Sequence, residues 1–423
     1  MPLNRYLTRY AEVEAGLTQS LEGCWHYAVV IPAYNETPGF LQALPAGDCL
    51  YIVIANRPET DPATDWLNEI LDHLEPPRWR NKHLSLHQRP ENASHPDILL
   101  VDRCAAGAPL PSKQGVGLAR KIGCDIACQL IASKQVTNPW LGTTDADTHL
   151  PENYGEALQK LPEQAGACVF PFSHIPGDAP EWAVRCYELH MLHYVAGLRY
   201  AQSPYAWPTV GSCIALNSRA YAQAHGFPKR AGGEDFYLLN KLAKLGGVIH
   251  ASKPLVRPSG RLSQRVPFGT GPALQRYASL QSAGDVTSYH PDSFRLLRAV
   301  LKALRLSAFG RSFAMTDIAR QSCADPDQLY SLWQRFHCDQ AVDKARRNSR
   351  SAEQCERHLM TWFDAFKTLK WVHACREYQP DTPLFEALEN ADWITDSGID
   401  LRHPENAAIA LQRQLANNQR HSL

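Results

Sequence analysis

Residues 27–36 read YAVVIPAYNE, and this stretch decides the fold class. An uncharged run rich in β-branched residues stops at Pro32 and opens into Ala33, Tyr34, Asn35 and Glu36. A strand running straight into polar residues is how an open α/β sheet presents a binding loop at its carboxyl edge. Residues 51–55 (YIVIA) repeat the pattern, ending at Asn56 and Arg57, and a helical segment follows over 66–74. Two such units in succession predict a parallel sheet with crossover helices. After the polar stretch 76–96, another strand is expected at 98–101 (ILLV). Residues 113–131 have apolar side chains at helical spacing and glycines at 115, 117 and 123. They predict a helix whose first turn approaches something closely.

Residues 140–149 read WLGTTDADTH, an apolar strand end followed by Asp145 and Asp147 with Ala146 between them. If the backbone is extended there, the period of two puts both carboxylates on one side, where they repel unless a cation or donor offsets them. Oxygen ligands of this kind suit Mg²⁺ or Mn²⁺, completed by water and substrate phosphates. The bland alternative is that Asp-Ala-Asp ends the strand or caps a helix starting near Pro151.

Farther along, a strand is expected at 167–172, an amphipathic helix at 181–200 and a glycine-led strand at 210–216 (VGSCIAL). Gly232, Gly233, Glu234 and Asp235 precede a helix over 236–245, and a short strand fits 248–251. The loop 254–271 carries Arg257, Arg261 and Arg265. Beyond about residue 290 strand signals stop, and helical periods at 294–307 and 353–376 take over. The expected organisation is an α/β domain over 1–289 and a mainly α-helical region over 290–423.

The chain has 423 residues, enough for one large domain plus an appendage. Lys+Arg and Asp+Glu are both 43, so no global charge excess points to nucleic acid as a partner. The first residues lack the apolar stretch and cleavage site of an export signal, and no run of about eighteen apolar residues occurs. The reading is a soluble, unexported, cytoplasmic protein. Its twelve cysteines include no C-x-x-C, and Cys124 and Cys128, spaced for one helix face, have no nearby partner ligands, so reduced, buried thiols are expected.

In this order the parts resemble the family 2 glycosyltransferases, whose fold is the GT-A arrangement. The matching pieces are VVIPAYNE, the helix start at Lys113, Gly115 and Gly117, the D-x-D motif of Asp145 and Asp147, VGSCIAL, and GGED over 232–235. They cover roughly the first 270 residues. Two places depart from the pattern: Asn56-Arg57 stand where many members carry an Asp pair, and Arg120 stands where an Asn is common. The resemblance implies a nucleotide-diphosphate sugar donor, bound by Pro32, Ala33, Tyr34, Glu36, Asn56, Lys113 and Asp145. It further implies a divalent cation on Asp147 and Asp145, and Asp235 as the general base beside Glu234, with inversion at the sugar. The acceptor, a glycan, a lipid-linked molecule or a small molecule, is not specified by it.

Chemistry runs parallel to the resemblance. Glycosyl transfer needs a departing diphosphate neutralised and an acceptor hydroxyl deprotonated, hence a cation clamp and a carboxylate base. Arg261 and Arg265 are candidates for the diphosphate or an anionic acceptor, with a solvated loop as the equal alternative. Asp235 also reads as a helix N-cap, Tyr34 as a cover for the sheet edge, and His250 as a structural residue rather than a further metal ligand. The 294–307 helix, with Arg295, Arg298, Lys302 and Arg305, would suit peripheral contact with an anionic membrane, although packing of its leucines is the preferred reading. Two other functions compete. A catalytically silent nucleotide- or glycan-binding module is favoured by Asn56-Arg57. A nucleotidyltransferase would want a glycine-rich loop directly after the first strand, where no glycine occurs before Gly39. Incubation with sugar 1-phosphate and nucleoside triphosphate is therefore expected to release no pyrophosphate.

Overall fold

The computed structural model describes residues 2–62, 65–88, 96–104, 109–263, 269–394 and 404–417. It divides into two compact units, one of Met1–Ala179 and Thr209–Gln275, the other of Pro180–Pro208 and Arg276–Asn418. The helical unit thus reaches back past the boundary expected at residue 289. The reason is packing: the helix over Glu181–Tyr200 lays its apolar residues against the helices of Pro291–Ala308, Leu384–Glu389 and Pro404–Asn417.

In chain order the strands of the first unit are β1 (Tyr27–Ala33), β2 (Cys49–Asn56), β3 (Trp79–Asn81), β4 (Leu84–His87), β5 (Asp97–Arg103), β6 (Trp140–Thr143), β7 (Ala167–Val169), β8 (Ile175–Pro176), β9 (Ile214–Asn217), β10 (Val248–His250) and β11 (Ser259–Gly260). Nine of them form one sheet in the order β10-β7-β9-β6-β1-β2-β5-β4-β3, while β8 pairs with β11. Among the nine, β4 and β9 run against the rest. The expected mostly parallel α/β sheet is therefore present. The hairpin β3–β4 lies in a stretch that reads as polar, because Ser85 and His87 are buried with Ser85 Oγ and His87 Nε2 2.7 Å apart. Each satisfies the other, so the polar residues that alternate with the buried Leu84 and Leu86 can themselves be buried.

Strands β1 and β2 are buried at every position, as Val- and Ile-rich strands are when both faces of a parallel sheet are covered. The helices of this unit are α1 (Leu3–Arg9), α2 (Val13–Leu17), α3 (Gly39–Gln42), α4 (Trp66–Leu71), α5 (Gly115–Ala132), α6 (Tyr154–Gln159), α8 (Ser218–Gln223) and α9 (Glu234–Leu242); α7 (Glu181–Tyr200) belongs to the second. Helix α5 packs on β1 and β2, and a Cβ at Gly123 would lie 2.3 Å from Val30 Cγ1. From its far side the fully buried Asp125 accepts from Tyr6 Oη at 2.5 Å, Tyr221 Oη at 3.0 Å, Lys121 Nζ at 2.7 Å and the Glu12 amide at 2.8 Å. A buried charge is tolerable when paired this completely, and the network fastens the N-terminal segments to α5.

From β1 the sheet grows through β2 and β5 on one side and through β6, β9 and β7 on the other. The carboxyl ends of β1 and β6 therefore flank a topological switch point, the crevice where open α/β sheets bind ligands.

Helix α10 (Thr270–Ala278) spans the boundary at Gln275, and the second unit continues with α11 (Pro291–Ala308), α12 (Met315–Gln321), α13 (Pro326–Arg335), α14 (Cys338–Arg347), α15 (Ala352–Trp362), α16 (Ala365–Cys375), α17 (Leu384–Glu389) and α18 (Pro404–Asn417), with one short antiparallel pair, β12 (Thr287–Ser288) and β13 (Thr382–Pro383). The expected helix over 353–376 is two, α15 and α16, because Asp364 caps the second through the Lys367 amide. Phe294, Leu297, Leu301 and Leu304 of α11 are fully buried. Its cations bind inside the unit: Arg295 pairs with Asp292 at 2.5 Å, Arg305 with Glu356 at 3.4 Å, Lys302 with Gln321, and Arg298 lies over the Tyr200 ring. The apolar face of the 294–307 segment is spent on this core rather than held out toward a bilayer. Among the described residues no helix is long and apolar enough to cross a membrane.

His190 Nδ1 and His193 Nδ1 both meet Ser288 Oγ at 3.0 Å. Burial pushes His193 down to about 3, with His190 adding to it, and pushes His190 down to about 4, against Asp381 and with Arg276 and Arg376. In the unfolded chain both titrate near 6.5, so below that pH the unfolded state binds more protons and stability falls. The loss should begin as pH drops through about 6.5, at up to about 1.4 kcal/mol per pH unit for each histidine. Urea unfolding at pH 7 and pH 5 should show it, and His193→Gln should flatten the dependence.

Candidate active site

The two acids after β6 do not sit on extended backbone. The Thr148 amide donates to Asp145 O at 3.0 Å, folding the segment into a turn. The period-of-two placement on one side therefore does not apply, and each carboxylate meets a different guanidinium. Asp145 Oδ1 accepts from Arg120 Nη2 at 2.5 Å, and Asp147 Oδ2 forms an ion pair with Arg261 Nε at 2.8 Å.

Arg120 projects from α5 with its side chain 3% exposed. Its Nε donates to Glu234 Oε1 at 3.0 Å, and its Nη1 to Thr143 Oγ1 at 2.6 Å and Thr144 O at 3.2 Å. One side chain thus joins α5, the end of β6 and the first turn of α9. Burial works against its charge, but Asp145, Glu234 and Asp235 outweigh burial, so it stays protonated.

The glycines of α5 bring these parts together. A Cβ at Gly117 would lie 2.4 Å from Pro228 O, and the Gly117 amide donates to Arg230 O at 2.9 Å. The close approach expected at this helix start is thus to the backbone leading into Gly232-Gly233. Gly233 holds φ 69° at the N-cap of α9, a conformation costing other L-residues roughly 1–2 kcal/mol. Helix α9 therefore begins at Glu234, and Asp235 lies in its first turn rather than at the cap. Asp235 Oδ1 accepts from the Phe236 amide at 2.7 Å. A Cβ at Gly211 would stand 3.1 Å from Asp235 Oδ2 and 2.9 Å from Arg120 Nη2, so the glycine of VGSCIAL leaves room for this carboxylate and guanidinium.

Burial raises the proton affinity of both acids of the pair. For Glu234 the neighbouring Asp235 adds to burial and Arg120 opposes it; for Asp235 Arg120 again opposes and Asp145 adds. Both therefore lie above the ordinary carboxylate range.

Arg261 forms the second bridge. Its Nη1 and Nη2 donate to Glu36 Oε2 at 3.1 Å and Oε1 at 2.6 Å, while Nε holds Asp147. This fork-to-fork contact ties the loop after β1 to the turn after β6 from the residue following β11. Burial opposes the charge here too, and Glu36, Asp147 and Asp145 outweigh it.

Other expected residues take different places. Tyr34 is half-buried and its Oη donates to Asp61. Pro32 and Ala33 are buried as the last residues of β1. Asn56 Nδ2 donates to Ala33 O at 2.9 Å and Ile54 O at 3.0 Å, bracing the end of β1 against β2. Arg57 donates to Cys104 O and Asp61 O, both at 2.6 Å. Asn56 thus holds strand backbone and Arg57 holds loop backbone. Lys113 is exposed and forms no ion pair among the described residues. Arg265 lies outside the described residues. His250 is half-buried at the end of β10. Among the described residues no three or more His, Cys, Asp or Glu side chains cluster as a metal site.

The residues sequence reading did not assign are Arg120, Thr143 and Gly211. The available signal was a charged residue on a helix whose neighbours Leu118, Ala119 and Ile122 are apolar.

No family model matches the chain, and no curated protein matches it. Among solved structures it is similar to S. aureus TarS. TarS 1-349 in complex with UDP-GlcNAc aligns over 94% of this chain and 92% of that one, with 13% identity and a TM-score of 0.31. The complex of TarS 1-349 with UDP gives the same coverage at 11% identity and a TM-score of 0.32, and S. aureus TarS gives 93% and 55% coverage at 14% and 0.32. A likeness this remote assigns no activity.

Removing one partner of a buried ion pair costs about 3–5 kcal/mol because the other charge is left uncompensated. Arg120→Met should lower unfolding stability by that order, and Glu234→Gln in the same chain should restore part of it. A double-mutant cycle from urea unfolding checks this, and strictly additive losses would refute the pairing.

Proposed function

We propose that this protein is a nucleotide-sugar-dependent glycosyltransferase of the family 2 type, inverting, with Asp235 as general base. The observation that carries the reading is the convergence, at the switch point of the sheet, of Glu36 and Asp147 on Arg261 and of Asp145, Glu234 and Asp235 around Arg120. A bound sugar nucleotide would lay its diphosphate beside the first group and its anomeric carbon toward the second.

Asp235 Oδ2 would take the proton of the acceptor hydroxyl, Oδ1 being held by the Phe236 amide. Its raised proton affinity suits a base working nearer neutral pH. Arg120 would keep Asp145 and Glu234 in place beside it. Arg261 would face the departing diphosphate, for which a guanidinium fork is the right shape.

The acids gathered here support a divalent cation as part of this reading. Glu36 and Asp147 meet Arg261, and Asp145, Glu234 and Asp235 surround Arg120. Asp145 and Asp147 would hold Mg²⁺ or Mn²⁺, and one or two carboxylates suffice for an ion that completes its shell with water and phosphate oxygens. Bound there, the ion supplies charge neutralisation for the leaving diphosphate.

Thermal-shift titration with nucleoside diphosphates, with and without Mn²⁺, should reveal a metal-dependent stabilisation. Asp147→Asn should weaken that response. Asp235→Asn should leave it nearly intact yet slow sugar transfer by about 10²–10⁴-fold, the usual worth of a general base. Near-wild-type transfer by Asp235→Asn would remove the base assignment.

A further inference from the structure

The helical unit holds a cleft of about 370 Å³, within the range of small-molecule sites. Helix α13 lends it Tyr330, Trp333 and Gln334, and α14 lends it Asp339, Val342, Asp343 and Arg346. Spacings of three and four place each set on one helix face. Phe313 and Met315, at the entry to α12, add to the apolar lining.

The charged groups of the cleft differ in what occupies them. Trp333 Nε1 donates to Asp339 Oδ1 at 2.9 Å and Gln334 Nε2 to Oδ2 at 3.4 Å, so neutral donors fix Asp339 and leave its charge in place. Arg346 gives Nε and Nη2 to Ser307 O at 3.1 and 2.7 Å, satisfying a carbonyl in the last turn of α11. Among the described residues Asp343 has no ion pair or side-chain hydrogen bond, and neither Asp339 nor Arg346 has an ion pair. Two carboxylates against one guanidinium leave the lining negative.

Its rings also stand apart from others of the unit. Lys367 lies over Trp362, Arg298 over Tyr200, Arg295 over Trp393 and Arg376 over Tyr289. Among the described residues no cation lies over Phe313, Tyr330 or Trp333, and Tyr330 is 57% exposed. Aromatic rings beside a carboxylate attract a cation. A divalent metal ion would want oxygen ligands in number, and the described residues form no such cluster. A primary ammonium must place three N–H donors, and Asp343 is the one lining acid whose oxygens have no partner among the described residues. A quaternary ammonium has no N–H to satisfy, can bury its methyl groups on the apolar lining, and answers the negative charge.

We propose that the cleft between α13 and α14 binds an organic quaternary ammonium group, seated against Tyr330 and the edge of Trp333 with Asp343 as its counter-ion. The cleft lies wholly within the helical unit, so the binding stands apart from the chemistry proposed for the α/β unit.

Choline and its neutral isostere 3,3-dimethylbutan-1-ol are the probes, titrated into the full chain labelled with ¹⁵N in its tryptophans. The Trp333 indole N–H, assigned by its loss in Trp333→Phe, is the reporter. Choline should shift it saturably and bind about tenfold more tightly than the isostere. Asp343→Asn should weaken choline by roughly fivefold, the worth of one nearby charge in water. Tyr330→Leu, which keeps bulk but loses the ring, should weaken it similarly, whereas Tyr330→Phe should bind as wild type does. Asp343 and Tyr330 are both exposed, so these variants should fold. Phosphatidylcholine vesicles separate two sources of the group: co-sedimentation that Asp343→Asn abolishes assigns it to a lipid headgroup, and none assigns it to a soluble molecule. No saturable choline shift, equal affinity for the isostere, or choline affinity unchanged in both Asp343→Asn and Tyr330→Leu overturns the proposal.

Discussion

A guanidinium buried between three carboxylates is the constraint on which the first unit depends. Arg120 lies too deep for water to satisfy it, so its N–H groups must find protein acceptors, and four bonds go to β6, the turn beyond it and α9. The demand is mutual. Glu234 is buried as well, and without the arginine its ionised form would have no compensation. The position of α9 relative to the sheet is therefore set by hydrogen-bond geometry as well as by apolar contact, and Asp235, next along the helix, takes its place from that arrangement.

Helix α5 carries this constraint in two directions. Arg120 reaches the site, while the adjacent Lys121 reaches the Asp125 network, where it donates to Tyr6 Oη at 2.9 Å and to Tyr10 O at 2.8 Å. Consecutive helical residues point about 100° apart, so one turn serves both the functional crevice and the anchorage of the N-terminal segments. The glycines of the same helix admit a strand side chain at Gly123 and a loop backbone at Gly117. A helix of ordinary side chains at these positions would stand off the sheet, and the arginine would no longer span the distance to β6.

The two arginine bridges divide the acids of the site by the elements that hold them. Those around Arg120 are held between a helix and the sheet. Those around Arg261 are held by a residue that follows a two-residue strand. The pairing pattern thus sorts similar carboxylates into two groups that their sequence context does not separate.

The sequence by itself determined the strand class and the loops that matter. Uninterrupted apolar runs ending in polar residues report two-sided burial directly, so β1, β2, β5 and the crevice at their carboxyl ends were legible, as was the helix over Glu181–Tyr200 from its period. What periodicity could not report was pairing at long range. Ser85 and His87 hid a strand by satisfying one another, and the membership of α7 in the helical unit depends on partners more than ninety residues away. The turn at Asp145 likewise escaped a rule that assumes extended backbone. The role of Arg120 was decided only by tertiary structure, because the local sequence supplies a cation on an apolar helix and the fold alone supplies the acids 25 and 114 positions away that make its burial tolerable.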